Sequence, residues 1–142
     1  MIISNAQHYK EQVKALLQAG NLPESDLPES FDNFLVAIID NEIAGVAGLE
    51  IYGEYGLLRS VAVGRKHRNL GIAAKLVDEI ITICISKEIS TLYLLTETAA
   101  EYFKNKGFIQ IGREQVPAEI KASSEFSHVC PVSAIVMKKS IA

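Results

Sequence analysis

Between the apolar run Val61-Ala62-Val63 and the periodic stretch that begins at Ile72 lies Gly64-Arg65-Lys66-His67-Arg68-Asn69-Leu70-Gly71. These residue types, in this order, can hold an anion. A strand that runs through a loop into a helix leaves the first helical amides without intrahelical partners. The helix dipole adds positive potential at the same end, and the two together make a phosphate site. Gly71 and Ala73 carry little or no side chain, so a bulky diphosphate can approach the backbone. Arg65, Lys66 and Arg68 add screening charge. With Arg59, His67 and Lys75 they form a basic cluster in an otherwise acidic chain, which has 14 basic and 17 acidic residues and a net charge of −3.

Spacing excludes two other phosphate motifs. A P-loop needs four residues between its glycines, followed by Lys and Ser or Thr. Six residues separate Gly64 from Gly71, and Ile72-Ala73 follow. The dinucleotide fingerprint G-x-G-x-x-G is absent. What remains is Arg68-x-x-Gly71-x-Ala73. Alone, this pattern also suits a solvated basic loop before an ordinary helix. Its placement between an apolar strand and an amphipathic helix favours the anion site.

The elements that position this loop follow from periodicity. Ser4 or Asn5 can cap a helix over residues 6–19, with Val13, Leu16 and Leu17 on one face. Residues 21–30 read as a polar loop. Phe34 to Ile39 and Ile43 to Tyr52 read as a hairpin around Asp40-Asn41-Glu42. Leu57 to Val63 is the third strand, after the turn Gly53-Glu54-Tyr55-Gly56. Gly71 to Glu88 is the most secure helix, with Ile72, Leu76, Ile80 and Ile83 at helical spacing. Thr91 to Leu95 is a fourth strand, reached by a crossover that implies parallel pairing. Thr98 can cap a helix through Lys106, ended by Gly107. Phe108 to Arg113 is another strand, Pro117 opens a short helix over 118–123, and Pro131 to Met137 is the last strand before a basic tail. The order predicts a single α/β (α+β) domain, residues 1–142, with a largely antiparallel sheet.

On these residues the chain resembles the GCN5-related N-acetyltransferase (GNAT) family. Arg68-Asn69-Leu70-Gly71-Ile72-Ala73 is similar to the family's acetyl-CoA loop. Val61-Ala62-Val63 is similar to the strand whose backbone pairs with the pantetheine arm. Ala99 to Phe108, read as A-x-x-x-F-x-x-x-G-F, resembles the family's later helix and turn. The resemblance covers nearly the whole chain. It implies a mixed, largely antiparallel sheet of about six to seven strands with helices on both faces, and acetyl-CoA as cosubstrate. Thr96 and Phe103 stand at cofactor-contacting positions, where the family often has Asn and Tyr. That Tyr protonates the leaving thiolate, and Phe103 cannot. Either the adjacent Tyr102 takes the role through a local distortion, since one residue turns a helix by about 100°, or water does. Residues 94–103 and 125–134 also resemble the arsenic-resistance branch, whose members acetylate amino acids bearing an arsenic or phosphorus acid group.

Two further residues have candidate roles in such chemistry. Glu50 lies in a strand of Ala, Gly, Val, Leu and Ile and shares a face with Tyr52. It can act as the base that accepts the amine proton, or sit at an exposed strand end. Arg59 shares a face with Val61 and Val63. It can grip an acidic substrate in two-pronged fashion, or pair with Glu50 or Glu54 on the neighbouring strand. The segments 21–30 and 117–130 are expected to wall the acceptor site. A non-catalytic acyl-CoA sensor and a protein N-terminal or lysine acetyltransferase remain open alternatives.

Composition bounds the rest. A chain of 142 residues, 49% hydrophobic and 22% charged, suits a globular domain. The acidic balance argues against nucleic-acid binding. No apolar run is long enough for a membrane span and no signal sequence opens the chain, so the expected location is cytoplasmic. Cys84 sits in an apolar run and reads as a buried thiol. His128 and Cys130 are too few for a metal site, and none is expected. A homodimer is plausible from the family resemblance.

Overall fold

The computed structural model describes residues 1–22, 27–28, 31–123, 126 and 134–141. Seven strands form one sheet in the order β1-β2-β3-β4-β5-β7-β6. The chain folds as two compact units: 1–49 with 58–83, and 50–57 with 84–142.

In the first unit, β1 (Ile2–Asn5) pairs antiparallel with β2 (Phe34–Ile39). This strand takes up Ser4 and Asn5, the residues expected to cap the first helix. Asn5 does not cap that helix. Its Oδ1 accepts from the Gln7 amide at 2.8 Å, an Asx turn that ends the strand, and its Nδ2 donates to the Asp32 carbonyl at 2.8 Å. Helix α1 (Lys10–Ala19) starts only after Tyr9, which makes no side-chain cap bond.

The hairpin is as expected: β2 pairs with β3 (Glu42–Tyr52). Asp40 and Asn41 both take left-handed φ, 49° and 65°, the conformation a two-residue type I′ turn demands. β4 (Tyr55–Val63) follows a turn in which Gly53 has φ +64°.

Side-chain alternation puts the two helices of this unit on opposite faces of its strands. Val36 and Val46 are register partners and pack with Val13 and Leu17 of α1. Gly45, one residue along, faces the other way. A Cβ there would lie 3.1 Å from Ile72 and 3.2 Å from Leu76, both in α2 (Ile72–Ser86). Gly45 therefore lets α2 sit close on the strand. Gly48 plays the same part on the α1 face, where a Cβ would come within 2.5 Å of the Phe34 ring.

In the second unit, Tyr55–Leu57 of β4 pairs parallel with β5 (Thr91–Thr96). Antiparallel β7 (Ile135–Ser140) lies between β5 and the short β6 (Ile109–Ile111). Its core is Leu57, Tyr93, Val116, Ile120 and Val136, with Ile120 coming from α4 (Ala118–Lys121). Two expectations need correction. The last strand is described from Ile135, residues 131–133 of the expected span lying outside the described residues, and it continues past Met137 through Lys138 and Lys139 to Ser140. β5 pairs with both lysines and β6 with Lys138, and Lys139 Nζ donates to the Lys106 carbonyl at 3.2 Å. Thr98 does not cap α3 (Ala100–Asn105), whose N-cap is Ala99. Instead Thr96 Oγ1 accepts from the Ala99 amide at 3.0 Å.

Candidate active site

The strand-to-helix junction singled out from sequence lies within the first unit. After β4 the Gly64 amide donates to the Ala44 carbonyl at 2.7 Å, and Arg65–His67 makes one tight helical turn. Arg68 is extended, with φ −68° and ψ 154°, and its Nε lies 3.4 Å from the Val63 carbonyl. Asn69 and Gly71 then take left-handed φ of 67° and 77°. These two residues turn the chain sharply into α2. The helical ladder begins with the Lys75 amide donating to Gly71 O at 3.1 Å. The amides of Ile72, Ala73 and Ala74 precede that bond, as first-turn amides do. Ile72 is buried and anchors the turn, while Leu70 is exposed.

The side of that turn where a Gly71 side chain would stand is open. A Cβ added to Gly71 would meet nothing within 4 Å. Arg65 and Arg68 are exposed at the loop. Lys66 is engaged elsewhere: its Nζ lies 3.2 Å from Glu42 Oε2, and His67 Nε2 lies 3.8 Å from the same oxygen. Glu42 was not anticipated as a partner of this loop. The signal was its place at the start of β3, whose next residues bond Gly64.

Upstream on β4 stands Arg59, only 3% exposed. Its Nε donates to the Ser60 hydroxyl at 3.0 Å. Ser60 is itself buried and has φ +58° in the middle of the strand. Such a residue marks a bulge-like break in the regular alternation. Val61, Ala62 and Val63 follow, each half-buried. Sequence reasoning singled out Arg59 but passed over Ser60, because nothing in residue type signals a left-handed serine.

The second unit holds the other named residues. Glu50 and Tyr52 share a face as expected, and Tyr52 Oη donates to Glu50 Oε1 at 2.8 Å. Thr96 is occupied in part by its bond to Ala99 at the entry to α3. Phe103 is 7% exposed and packs edge-on to Phe108 with centroids 5.6 Å apart. Tyr102 is 36% exposed and meets the Phe103 ring edge-on at 5.1 Å. The helix is regular there, with the Phe103 amide bonded to Ala99 O at 3.1 Å. Cys84 is buried, and burial pushes its thiol up to about 11. Half of the expected site walls, with His128 and Cys130, lie outside the described residues.

In the first unit the head of α2 presents first-turn amides beside two exposed arginines; in the second, Glu50 carries a carboxylate bonded to Tyr52. Among the described residues, no three His, Cys, Asp or Glu side chains group to hold a metal ion, and no helix is long and apolar enough to cross a membrane.

Comparison with known proteins bears on the same elements. No curated protein matches the chain. Among solved structures, N-acetylglutamate synthase from Neisseria gonorrhoeae, complexed with coenzyme A and L-arginine, is similar with a TM-score of 0.82 at 19% identity. That likeness covers 98% of this chain but only 32% of the other, so the chain spans about a third of the synthase. A GNAT-family acetyltransferase from Staphylococcus aureus Mu50 gives 0.77 at 24% identity, covering 99% of both chains. A Mycobacterium tuberculosis protein solved with CoA and NLQ gives 0.75 at 22%, again covering 99% of both. These likenesses establish the fold. The family model for the acetyltransferase (GNAT) family matches residues 5–110, which takes in β4, the basic loop and α2. The chain belongs to the GNAT family of acetyl-CoA-dependent N-acetyltransferases.

Proposed function

We propose that this chain transfers the acetyl group of acetyl-CoA to the primary amine of a small acidic molecule, an amino acid or an analogue bearing an arsenic or phosphorus acid group. The observation that carries the cosubstrate half is the open, left-handed Gly71 at the head of α2. Backbone amides of Gly71 to Ala74 hold the diphosphate, and Arg65 and Arg68 screen its charge. Acetyl-CoA supplies the thioester. The backbone of Val61 to Val63 aligns the pantetheine arm. A backbone N–H near Val61 stabilises the charge that develops on the carbonyl oxygen.

The acceptor half rests on Arg59. A guanidinium held in one orientation by Ser60 is suited to a planar or tetrahedral anion. Glu50 takes the proton from the attacking amine, directly or through water, and the amine attacks as the free base. Most of the rate then comes from positioning. Phe103 offers no proton to the departing thiolate. Tyr102 or water supplies it, and the regular backbone of α3 favours water.

The test is coenzyme A release measured across amino acids, amino-phosphinates, amino-arsenicals, polyamines and peptides. Acidic amino compounds should be the best acceptors. Arg59→Ala should raise KM about 10- to 100-fold for these, the loss of a charge-assisted contact, and leave neutral amines nearly unchanged. An equal loss across neutral amines would sink the Arg59 assignment.

A further inference from the structure

We propose that Glu42 is an exchange partner for cosubstrate binding: in the free protein its carboxylate holds Lys66, and when Lys66 turns to a phosphate of acetyl-CoA the carboxylate passes to His67, which takes up a proton. The inference rests on the reading of the basic loop as the phosphate site.

Two side chains of the first unit meet at one carboxylate. Lys66 Nζ lies 3.2 Å from Glu42 Oε2 and 3.5 Å from Oε1. His67 Nε2 lies 3.8 Å from the same Oε2, beyond hydrogen-bond reach. That nitrogen is shielded from solvent and has no hydrogen-bond partner among the described residues. The backbone that carries it is fixed. The His67 amide donates to Gly64 O at 2.9 Å, and the Gly64 amide donates to Ala44 O at 2.7 Å, which ties the turn to β3. The charged groups that face the imidazole are Glu42 from β3 and Lys66 from its own turn, with Arg65 and Arg68 exposed on the same loop. Helix α1 brings the apolar Leu16 to the neighbouring Gly64.

The two partners of Glu42 hold it unequally. Lys66 and Glu42 are 76% and 56% exposed, and a pair so open to water is weak. A cosubstrate phosphate bound at the same loop competes for the ammonium with a charge-assisted bond of its own. His67 cannot leave in the same way, because its side chain is only 17% exposed. A buried ring nitrogen without a partner is costly, whereas a protonated one beside an unshared carboxylate is compensated. Histidine exchanges its proton within the physiological range. While Lys66 neutralises Glu42, the carboxylate does little to hold a proton on the imidazole. Once Lys66 turns away, an opposite charge 3.8 Å off favours the imidazolium. The proton comes from solvent and Glu42 stays ionised. The loop keeps its counter-charge while Lys66 neutralises the ligand.

Calorimetry of coenzyme A binding to the full chain near pH 7, in buffers of different ionisation enthalpy, counts the protons taken up. Wild type should take up about 0.2 to 0.5 proton per site more than Glu42→Gln, Lys66→Ala or His67→Gln. The phosphate monoester of coenzyme A titrates in this range too, but it is common to all four proteins, so the difference belongs to the cluster. Affinities should move in opposite directions. Glu42→Gln frees Lys66 and should tighten coenzyme A by up to about fivefold, whereas Lys66→Ala should weaken it by a similar factor. A merely structural ion pair would shift both variants the same way. Equal proton uptake in all four proteins, or weaker binding by Glu42→Gln, would overturn the exchange and leave the cosubstrate reading intact. A wild-type protein with no affinity for coenzyme A would overturn both.

Discussion

Replacing Gly71 by Ala separates backbone conformation from ligand approach at the head of α2. Gly71 has φ +77°, and an added Cβ would touch no protein atom within 4 Å. Inside the protein the methyl group therefore clashes with nothing, and the folded-state penalty is the left-handed backbone alone, about 1 kcal/mol. For a chain of this size that lowers Tm by about 2–4 °C. The ligand sees a different change. The methyl occupies the space through which a diphosphate reaches the amides of Ile72 and Ala73. Losing one charge-assisted amide contact costs about 1.5–3 kcal/mol, or roughly 10- to 100-fold in Kd. Gly48→Ala is the matched control. Its Cβ would sit 2.5 Å from the buried Phe34 ring, so overpacking should cost about 1–3 kcal/mol of stability with no specific effect on coenzyme A. Thermal unfolding and calorimetry with coenzyme A on both variants decide the matter. If Gly71→Ala loses stability but binds coenzyme A as tightly as wild type, the open space is not a ligand cradle and the glycine answers only a turn requirement.

Three other outcomes follow from two residues. Glu50→Gln keeps the shape of the side chain and an acceptor for the Tyr52 hydroxyl but cannot take up a proton; kcat should fall about 100-fold or more at neutral pH, with acetyl-CoA KM little changed, and full activity would remove Glu50 as the base. Cys84 has its thiol pushed up to about 11 by burial, so at pH 8 about one molecule in a thousand carries the thiolate, and peptide mapping after alkylation should find it unmodified until the protein is unfolded. The same shift raises the folded-state value above the unfolded one, so this group's contribution to stability is intact below pH 9 and declines as pH rises from 9 towards 11; a Cys84→Ala variant should lose less stability across that range than wild type.

Much of the fold was legible because it rests on strong periodic signals. Ile72, Leu76 and Ile80 recur at helical spacing and are all buried, and Asp40-Asn41 is a turn sequence that adopts the expected turn. The turn into α2 was legible for a related reason. Asn69 and Gly71 are residue types that accept the left-handed φ this strand-to-helix junction requires. What escaped depends on tertiary pairing. β1 has only four residues, and Ile2 and Ile3 become a strand because β2 offers an edge. Lys138 and Lys139 look like a tail, yet both pair with β5, and Lys138 pairs with β6 as well. Thr96 rather than Thr98 closes the turn into α3, since a hydroxyl three residues back can reach the Ala99 amide. Glu42 reaches the basic loop only through sheet geometry, and Ser60 carries its signal in a backbone angle that residue type does not encode.

The proposed grip of the α2 amides on a diphosphate is tested most directly by following backbone amide resonances as coenzyme A is added. The largest shifts should fall on Asn69, Gly71, Ile72, Ala73 and Ala74, saturating with a single affinity. Resonances at these positions that stay still while coenzyme A binds elsewhere, or no binding at all, would contradict the assignment.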